Sequence, residues 1–417
     1  MMPLAPTTPT EKHRANWLFV DLNSYFASVE QETRPELRGQ PIGIIPIEAA
    51  TACVIAASYQ AKAYGVKTGM RADEALQLCP HLHLVQARPK LYVEYHHKIA
   101  TAIERCIPIR DVMSCDEFAS ELMGRERQLP NASTIAYAIK QAIREEGKSL
   151  RCSIGLAPNR LLAKIAADMQ KPDGLMVIER RHLPDALCCL KLSDIPGVGN
   201  KMEARLTGHG ITTVRQLYTL SRERMSSIWG SVLGDRLWLL LRGEDFIDAE
   251  PRKLQTISRQ HILPPHARTR AAARDICLKL LHACAARMRK EGLWAGGVAV
   301  QLTYYGINYV FQNSARFLEC QDPITLQEHF LPLWETSPCH IPASVSVAVT
   351  HLMAMPNLDL FSPDDEEMTD RNSVTSAIDD LNRRYGHHTV YLGAIHGARE
   401  EAPTRIPFGP PPPLGEF

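Results

Sequence analysis

The sequence predicts an α+β multidomain protein, on three observations. Strand-type apolar runs alternate with amphipathic helical stretches through about residue 180. From 181 to 243 the pattern is helical and short-looped, centred on Ile195-Pro196-Gly197-Val198-Gly199-Asn200. After a polar linker, period-two alternation returns in Val298, Val300, Leu302 and Tyr304 and again in Val345, Val347 and Val349. A chain of 417 residues is too long for one ordinary core, and length alone suggests roughly three domains.

Residues 1–15 form a polar, Pro/Thr-rich leader. Trp17-Leu18-Phe19-Val20 is a strand that runs into Asp21. A carboxylate ending a buried strand is costly unless paired, so Asp21 reads as a metal ligand or a catalytic group. Ala27–Glu32 is helical, Ile42–Ile47 a strand, and Ser58–Tyr64 a helix closed by Gly65 as a left-handed cap. Helices are expected at 73–79 and 92–106. Asp111–Phe118 is a strand interrupted by Asp116 and Glu117, and neighbours on a strand point to opposite faces. One site can therefore use both acids only at a strand end, bulge or turn. Helix 132–146, strand 150–156 and helix 160–169, capped by Asn159, lead to Lys171-Pro172-Asp173-Gly174, which predicts a type I turn.

The last third reads as a βαββαβ sheet domain, with a strand near 254–262 and helices near 268–290 and 322–336. Beyond Met355 the chain turns acidic, then helical at 374–385, and ends in the Pro-rich Gly409–Pro413.

The formal net charge is only +1, but residues 251–290 hold ten Lys or Arg against one acid, Asp275. Residues 357–370 hold six acids and no Lys or Arg. This asymmetry implies an anionic partner for the basic part. Eleven cysteines without C-x-x-C spacing fit reduced thiols in the cytoplasm and exclude a zinc site or a disulfide framework. No signal peptide or membrane span is expected.

Asp21, Asp116 and Glu117 carry the chemistry. Converging carboxylates repel by about 1 kcal/mol per pair in water and nearer 4 kcal/mol at an effective dielectric of 20, and divalent cations relieve this. Hard oxygen ligands without His or Cys favour magnesium, and a pair of such ions suits phosphoryl or nucleotidyl transfer. From the residues alone, separate surface or turn acids are the other reading.

Asp21-Leu22-Asn23-Ser24-Tyr25-Phe26-Ala27-Ser28-Val29-Glu30 and Ser114-Cys115-Asp116-Glu117 resemble the two metal-site motifs of the Y-family translesion DNA polymerases of the DinB/UmuC type. Ala57–Val66, Gly155–Pro172 and the Ile195–Gly199 hairpin match the same family in order. The resemblance implies a right-hand polymerase with a palm at 16–24 and 86–178 and fingers at 25–85. A thumb with a helix-hairpin-helix at 179–245, a linker at 246–256 and a little finger at 257–355 follow. The tail, 356–417, completes the chain.

It further implies two Mg2+ ions held by Asp21, Asp116, Glu117 and the Leu22 carbonyl, with Phe26 as steric gate against a ribose 2′-hydroxyl. Tyr25, Phe26, Tyr59, Lys62 and Lys164 are the implied nucleotide contacts. Gly197, Gly199, Lys201 and Arg259 are the implied DNA contacts, helix N-terminal N–H groups suiting phosphate. Leu358, Leu360 and Phe361 are similar to a sliding-clamp-binding peptide. The expected partners are primer-template DNA, deoxynucleoside triphosphates, the clamp and accessory mutagenesis subunits, in DNA repair or the SOS response.

Some residues depart from the family pattern. Lys62 stands where Arg is usual, which loses the bidentate fork. Asn23 replaces a frequent Asp and is not expected to bind metal. Phe118-Ala119-Ser120 and Ala56 also differ. These departures keep open a catalytically weak or inactive DNA-binding adaptor as the alternative. A nucleotidyl cyclase or other palm-domain enzyme would lack the hairpin and the basic sheet domain.

Overall fold

The computed structural model describes residues 14–47, 52–246, 254–356, 365–386, 389–402 and 411. Most of the leader and the peptide containing Leu358, Leu360 and Phe361 lie outside the described residues. Two compact units are present, one on the chain up to Asp248 and one on Ala249–Thr404.

In the first unit the elements run β1 (Trp17–Leu22), α1 (Tyr25–Thr33), β2 (Ile42–Ile45), β3 (Ala56–Ala57), α2 (Tyr59–Ala63), α3 (Ala72–Leu78), β4 (His83–Gln86) and α4 (Pro89–Glu104). Next come β5 (Asp111–Val112), β6 (Glu117–Glu121), α5 (Leu129–Glu146), β7 (Cys152–Ala157), α6 (Arg160–Met169) and β8 (Leu175–Val177). Four helices follow: α7 (Asn200–Gly208), α8 (Val214–Thr219), α9 (Arg222–Trp229) and α10 (Val232–Leu241).

The main sheet has the order β5-β6-β1-β7-β8, so β1 is its central strand. All six residues of β1 are buried because both faces of the sheet are covered. Leu18, Val20 and Leu22 pack with Tyr92, Ile99 and Ile139 on one face. Trp17 and Phe19 pack with Leu162, Ile165 and Ala166 of α6 on the other. Alternation along the strand puts Asp21 on the face of Trp17 and Phe19, toward α6. The helix lies very close because Gly155, opposite Phe19, has no side chain. A Cβ there would sit 1.9 Å from the Ala163 carbonyl oxygen.

The strand expected over 111–118 is two strands, β5 and β6, with 113–116 as the turn between them. Asp116 is thus the last turn residue and Glu117 the first of β6, one of the arrangements that lets neighbouring acids serve one site. The type I turn expected at Lys171–Gly174 is corrected. Asp173 has φ +54, whereas the third residue of a type I turn has φ near −90°. Tertiary contacts override the local preference: Asp173 Oδ1 forms an ion pair with Lys140 Nζ at 2.7 Å, and the Asp173 N–H donates to Asn23 Oδ1 at 2.7 Å.

A smaller sheet, β3-β2-β4, carries α2 beside β1's C-terminal end, with Lys62 Nζ donating to Ser24 Oγ at 2.8 Å.

The second unit comprises β9 (Thr256–Ile262), α11 (Arg270–Lys290), β10 (Trp294–Tyr304), β11 (Ile307–Cys320), α12 (Pro323–Glu335), β12 (Pro342–Met353) and α13 (Asp365–Tyr385). Its antiparallel sheet has the order β11-β10-β12-β9, the expected βαββαβ pattern. Ile257, Val298, Val300, Leu302, Val345, Val347 and Val349 pack under α11 and α12. The C-terminal helix is longer than the 374–385 expected from sequence. The segment after it joins this core through the buried Ile395 and Ala398.

Candidate active site

The site forms where β1, β6, α6 and the turn after α6 meet. Asp21 is 5% exposed and stands directly opposite Glu117 on β6. Residues paired across antiparallel strands share a face, so both carboxylates look toward α6. From α6, Lys164 Nζ bonds Glu117 Oε1 and lies 3.9 Å from Asp21 Oδ2. Lys171 Nζ is 2.7 Å from Asp21 Oδ1 and 2.7 Å from Asp168 Oδ1. The turn is tied to β1 by Leu22 N–H donating to the Asp116 carbonyl at 2.9 Å. Ser114 Oγ donates to Asp116 Oδ1 at 2.5 Å.

Burial pushes the Asp21 carboxyl up to about 7 against the pull of Lys171, and the charges of Asp168 and Asp116 add to the rise. Burial works against the Lys164 and Lys171 ammonium groups, but the surrounding carboxylates outweigh it and hold both pKa values up. Among the described residues no three His, Cys, Asp or Glu side chains are grouped closely enough to hold a metal ion. The ammonium groups lie between the carboxylates instead. The donor chemistry nevertheless fits a hard divalent cation. The donors are carboxyl oxygens, and a carboxyl raised by burial, with the charges of Asp168 and Asp116 adding to the rise, gains from such a cation.

Lys171 and Asp168 were not singled out from sequence. Their signal was the helical spacing of Lys164 and Asp168, four apart on one face, with Lys171 just past the helix end.

Phe26, half-buried on α1, stacks on Tyr92 with ring centroids 4.4 Å apart. Tyr92 donates to Glu30 Oε1 at 2.8 Å, and the fully buried Glu30 accepts the Arg88 fork at 3.0 and 2.5 Å. The Phe26 ring is therefore backed by a fixed aromatic surface. Ser24, which opens α1, sits at φ +48 with its hydroxyl accepting from Lys62. Lys62 lies 4.5 Å from the centroid of the Tyr59 ring, as their shared helix face predicts. Burial, then the positive charge of Lys171, lowers the Lys62 pKa.

Two expectations change, those for Tyr25 and Arg259. Tyr25 is 3% exposed and its hydroxyl donates to the Tyr92 carbonyl at 2.5 Å, so its side chain packs the core and is not presented to a nucleotide. Asn23, expected outside the chemistry, is structural, its amide donating to Ser153 Oγ at 3.1 Å. Arg259 is corrected as a DNA contact. It pairs with the buried Val347 and has the parity of Ile257, so it points to the helix-covered face of the sheet, where its charge bears on the Cys284 thiol.

Other members of the basic stretch are engaged within the unit. Arg289 forks onto Asp379 at 2.6 and 2.9 Å, Lys279 Nζ donates to the carbonyl of Arg399 at 2.8 Å, and Arg270 donates to the Ser337 carbonyl at 2.9 Å.

In the helical part, Ile195 and Val198 are buried and anchor the loop. Between them Gly197 has φ +92, and nothing lies within 4 Å of a Cβ built on Gly197 or Gly199. Gly199 is the N-cap of α7, and Lys201 in its first turn is exposed. Gly197, Gly199 and Lys201 thus share one open helix N-terminus.

Comparison with known proteins fits this geometry. Residues 20–168 match the impB/mucB/samB family and residues 254–360 that family's C-terminal domain. Residues 193–245 match the DNA polymerase-iota thumb domain. The chain has the fold of a Y-family polymerase chimera, with a TM-score of 0.69 at 24% identity over 81% of this chain and 99% of that one.

The chain belongs to the Y family of DNA polymerases and is a translesion DNA polymerase. Among its relatives, DNA polymerase IV of Moorella thermoacetica is 37% identical over 68% of this chain and 72% of that protein. DNA polymerase IV of Pelotomaculum thermopropionicum is 30% identical over 89% and 93%. The inactive-adaptor alternative is not favoured by these relatives.

Proposed function

We propose that the chain extends a DNA primer opposite template DNA by magnesium-dependent nucleotidyl transfer, with low fidelity, during the SOS response to DNA damage. The observation that carries this is the pairing of the buried Asp21 with Glu117 across β1 and β6, beside Asp116. Asp21, Asp116, Glu117 and the Leu22 carbonyl would hold two Mg2+ ions. When bound, the ions supply charge neutralisation at the phosphates and activation of the primer hydroxyl.

The protein's own part is positioning. Lys62, Tyr59, Lys164 and Lys171 orient the triphosphate, and the positive charges of the three lysines stabilise the negative charge that develops on the transferred group. The Phe26 ring, held by Tyr92, occupies the space a ribose 2′-hydroxyl needs. Gly197, Gly199 and Lys201 bind DNA phosphates through backbone N–H groups and one ammonium, contacts that carry no sequence information.

We assign the palm to 16–24 and 86–178, the fingers to 25–85, the thumb to 179–245 and the little finger to 257–355. Leu358, Leu360 and Phe361 would dock on a sliding clamp, and accessory mutagenesis subunits would join the complex. We place the protein in the cytoplasm. Among the described residues no helix is long and apolar enough to cross a membrane.

Primer extension with Mg2+ by the wild type and by Asp116→Ala tests the reading. Extension by the wild type alone is expected, and equal extension by both, or none by either, overturns the assignment.

A further inference from the structure

His96 on α4 belongs to none of the groups assigned above. It is 3% exposed, and its Nδ1 lies 2.8 Å from the carbonyl oxygen of Cys115. Its ring stacks on Phe118 with centroids 5.0 Å apart and planes at 19°. The imidazole therefore touches the chain on both sides of Asp116 and Glu117, at Cys115 before them and Phe118 after them.

A carbonyl can only accept, so Nδ1 must carry the proton. Burial keeps the ring neutral by lowering its pKa, and one tautomer suffices. The two carbonyls around the turn are then tied to different elements. That of Cys115 is held by α4 through His96, and that of Asp116 by β1 through the Leu22 N–H at 2.9 Å. A short turn held at consecutive carbonyls has little freedom to pivot, which fixes the direction of the Asp116 side chain.

We infer that His96 is a positioning residue for Asp116, holding the Ser114–Glu117 turn so that its carboxylate faces the metal site. The inference rests on the proposal that Asp116 binds metal. Packing alone is the competing account, because the same ring fills space against Phe118. The two differ in what they require: packing needs the flat ring, positioning needs the N–H donor.

His96→Phe keeps the ring and removes the donor, whereas His96→Asn keeps an N–H at the corresponding position and loses the ring. Two readouts apply to the full chain: Mn2+ binding followed by the spin resonance of free Mn2+ without DNA or nucleotide, and steady-state single-nucleotide insertion with Mg2+. His96→Phe is expected to weaken Mn2+ binding and lower kcat by about tenfold, as for other residues that orient metal ligands, with KM for the nucleotide unchanged. His96→Asn is expected to stay within about threefold of wild type in both, since the donor is kept.

Wild-type Mn2+ affinity and kcat in His96→Phe overturn the inference, as does an equal loss in both variants. Should His96→Phe not fold, nitrogen-15 histidine NMR of the unaltered protein takes its place. The His96 Nδ1 resonance is expected to shift on addition of Mg2+ in the wild type and not in Asp116→Ala, and an unmoved resonance overturns the inference. Asp116→Ala that still binds Mn2+ and extends primers defeats the underlying metal assignment. Loss in Asp116→Ala with no change in His96→Phe defeats the positioning role alone.

Discussion

Asp21 and Glu117 face each other across the β1–β6 ladder, and Lys164 reaches both, bonding Glu117 and lying 3.9 Å from Asp21. Two carboxylates on adjacent strands of a covered sheet form a poor resting state unless a cation joins them. Lysines fill that role here, and a metal-binding reaction would compete with them.

The pH dependence of stability follows from the same burial. Asp21 titrates near 7 in the folded protein and at its ordinary 3.8 when unfolded. The unfolded chain gives up this proton first, so the group withdraws stability as pH rises from about 4 through about 7, and nothing further above that. In Asp21→Asn the melting temperature relative to wild type should climb between about pH 4 and about pH 7 and level off above that. A difference constant with pH would contradict the raised carboxyl.

Sugar selection should depend on Phe26. Its ring stands half-exposed on the fixed Tyr92 surface, so truncation opens space beside the sugar without collapsing the core. Phe26→Ala should raise the ratio of ribonucleotide to deoxyribonucleotide insertion by at least about tenfold, on the scale of ~1.4 kcal/mol of lost discrimination. Competitive insertion assays would measure it.

Gly155 is required by the approach of α6 to the sheet. A Cβ at this position would lie 1.9 Å from the Ala163 carbonyl and 2.5 Å from the Ala167 nitrogen, both backbone atoms that cannot swing aside. Gly155→Ala should destabilise the protein by about 3 kcal/mol or more and displace Lys164 with the helix. Urea denaturation and insertion kinetics should both change.

The C-terminal helix should be part of the stability of the second unit. Arg289 is only 14% exposed, and removal of Asp379 leaves its guanidinium half-desolvated with one fewer partner. Asp379→Ala should cost about 2 to 3 kcal/mol in unfolding experiments. A surface substitution without this role would cost under ~0.5 kcal/mol.

Lys201 should bind phosphate as a point charge. Lys201→Ala is expected to weaken DNA binding to a similar extent across sequences and to reduce the log-log salt slope by about 1. An unchanged slope would remove Lys201 from the interface.

Much of the site was legible because its residues lie in short local motifs. Asp21 stood out as a charge ending an apolar strand, and Asp116-Glu117 as adjacent acids in a strand pattern. Tyr59 and Lys62 meet as helical spacing requires. What stayed hidden depends on partners far apart in the chain. Lys171 reaches Asp21 across 150 positions, and the Lys171–Gly174 turn departs from its local preference because Asn23 and Lys140 hold it. The basic run at 251–290 suggested one charged surface, yet strand parity and the C-terminal segment draw several of its members inward.

The sequence by itself determined the order of elements, the βαββαβ pattern and the identity of the carboxylates, because periodicity and motif spacing are local properties. Only the tertiary structure decided which charges meet: that Asp21 faces Glu117 and Lys171, that Tyr25 turns inward while Phe26 stays at the surface, and that Arg259 lies beneath a helix. Electrostatic pairing and burial depend on distances between residues remote in sequence, and those distances exist only once the sheet has set its register.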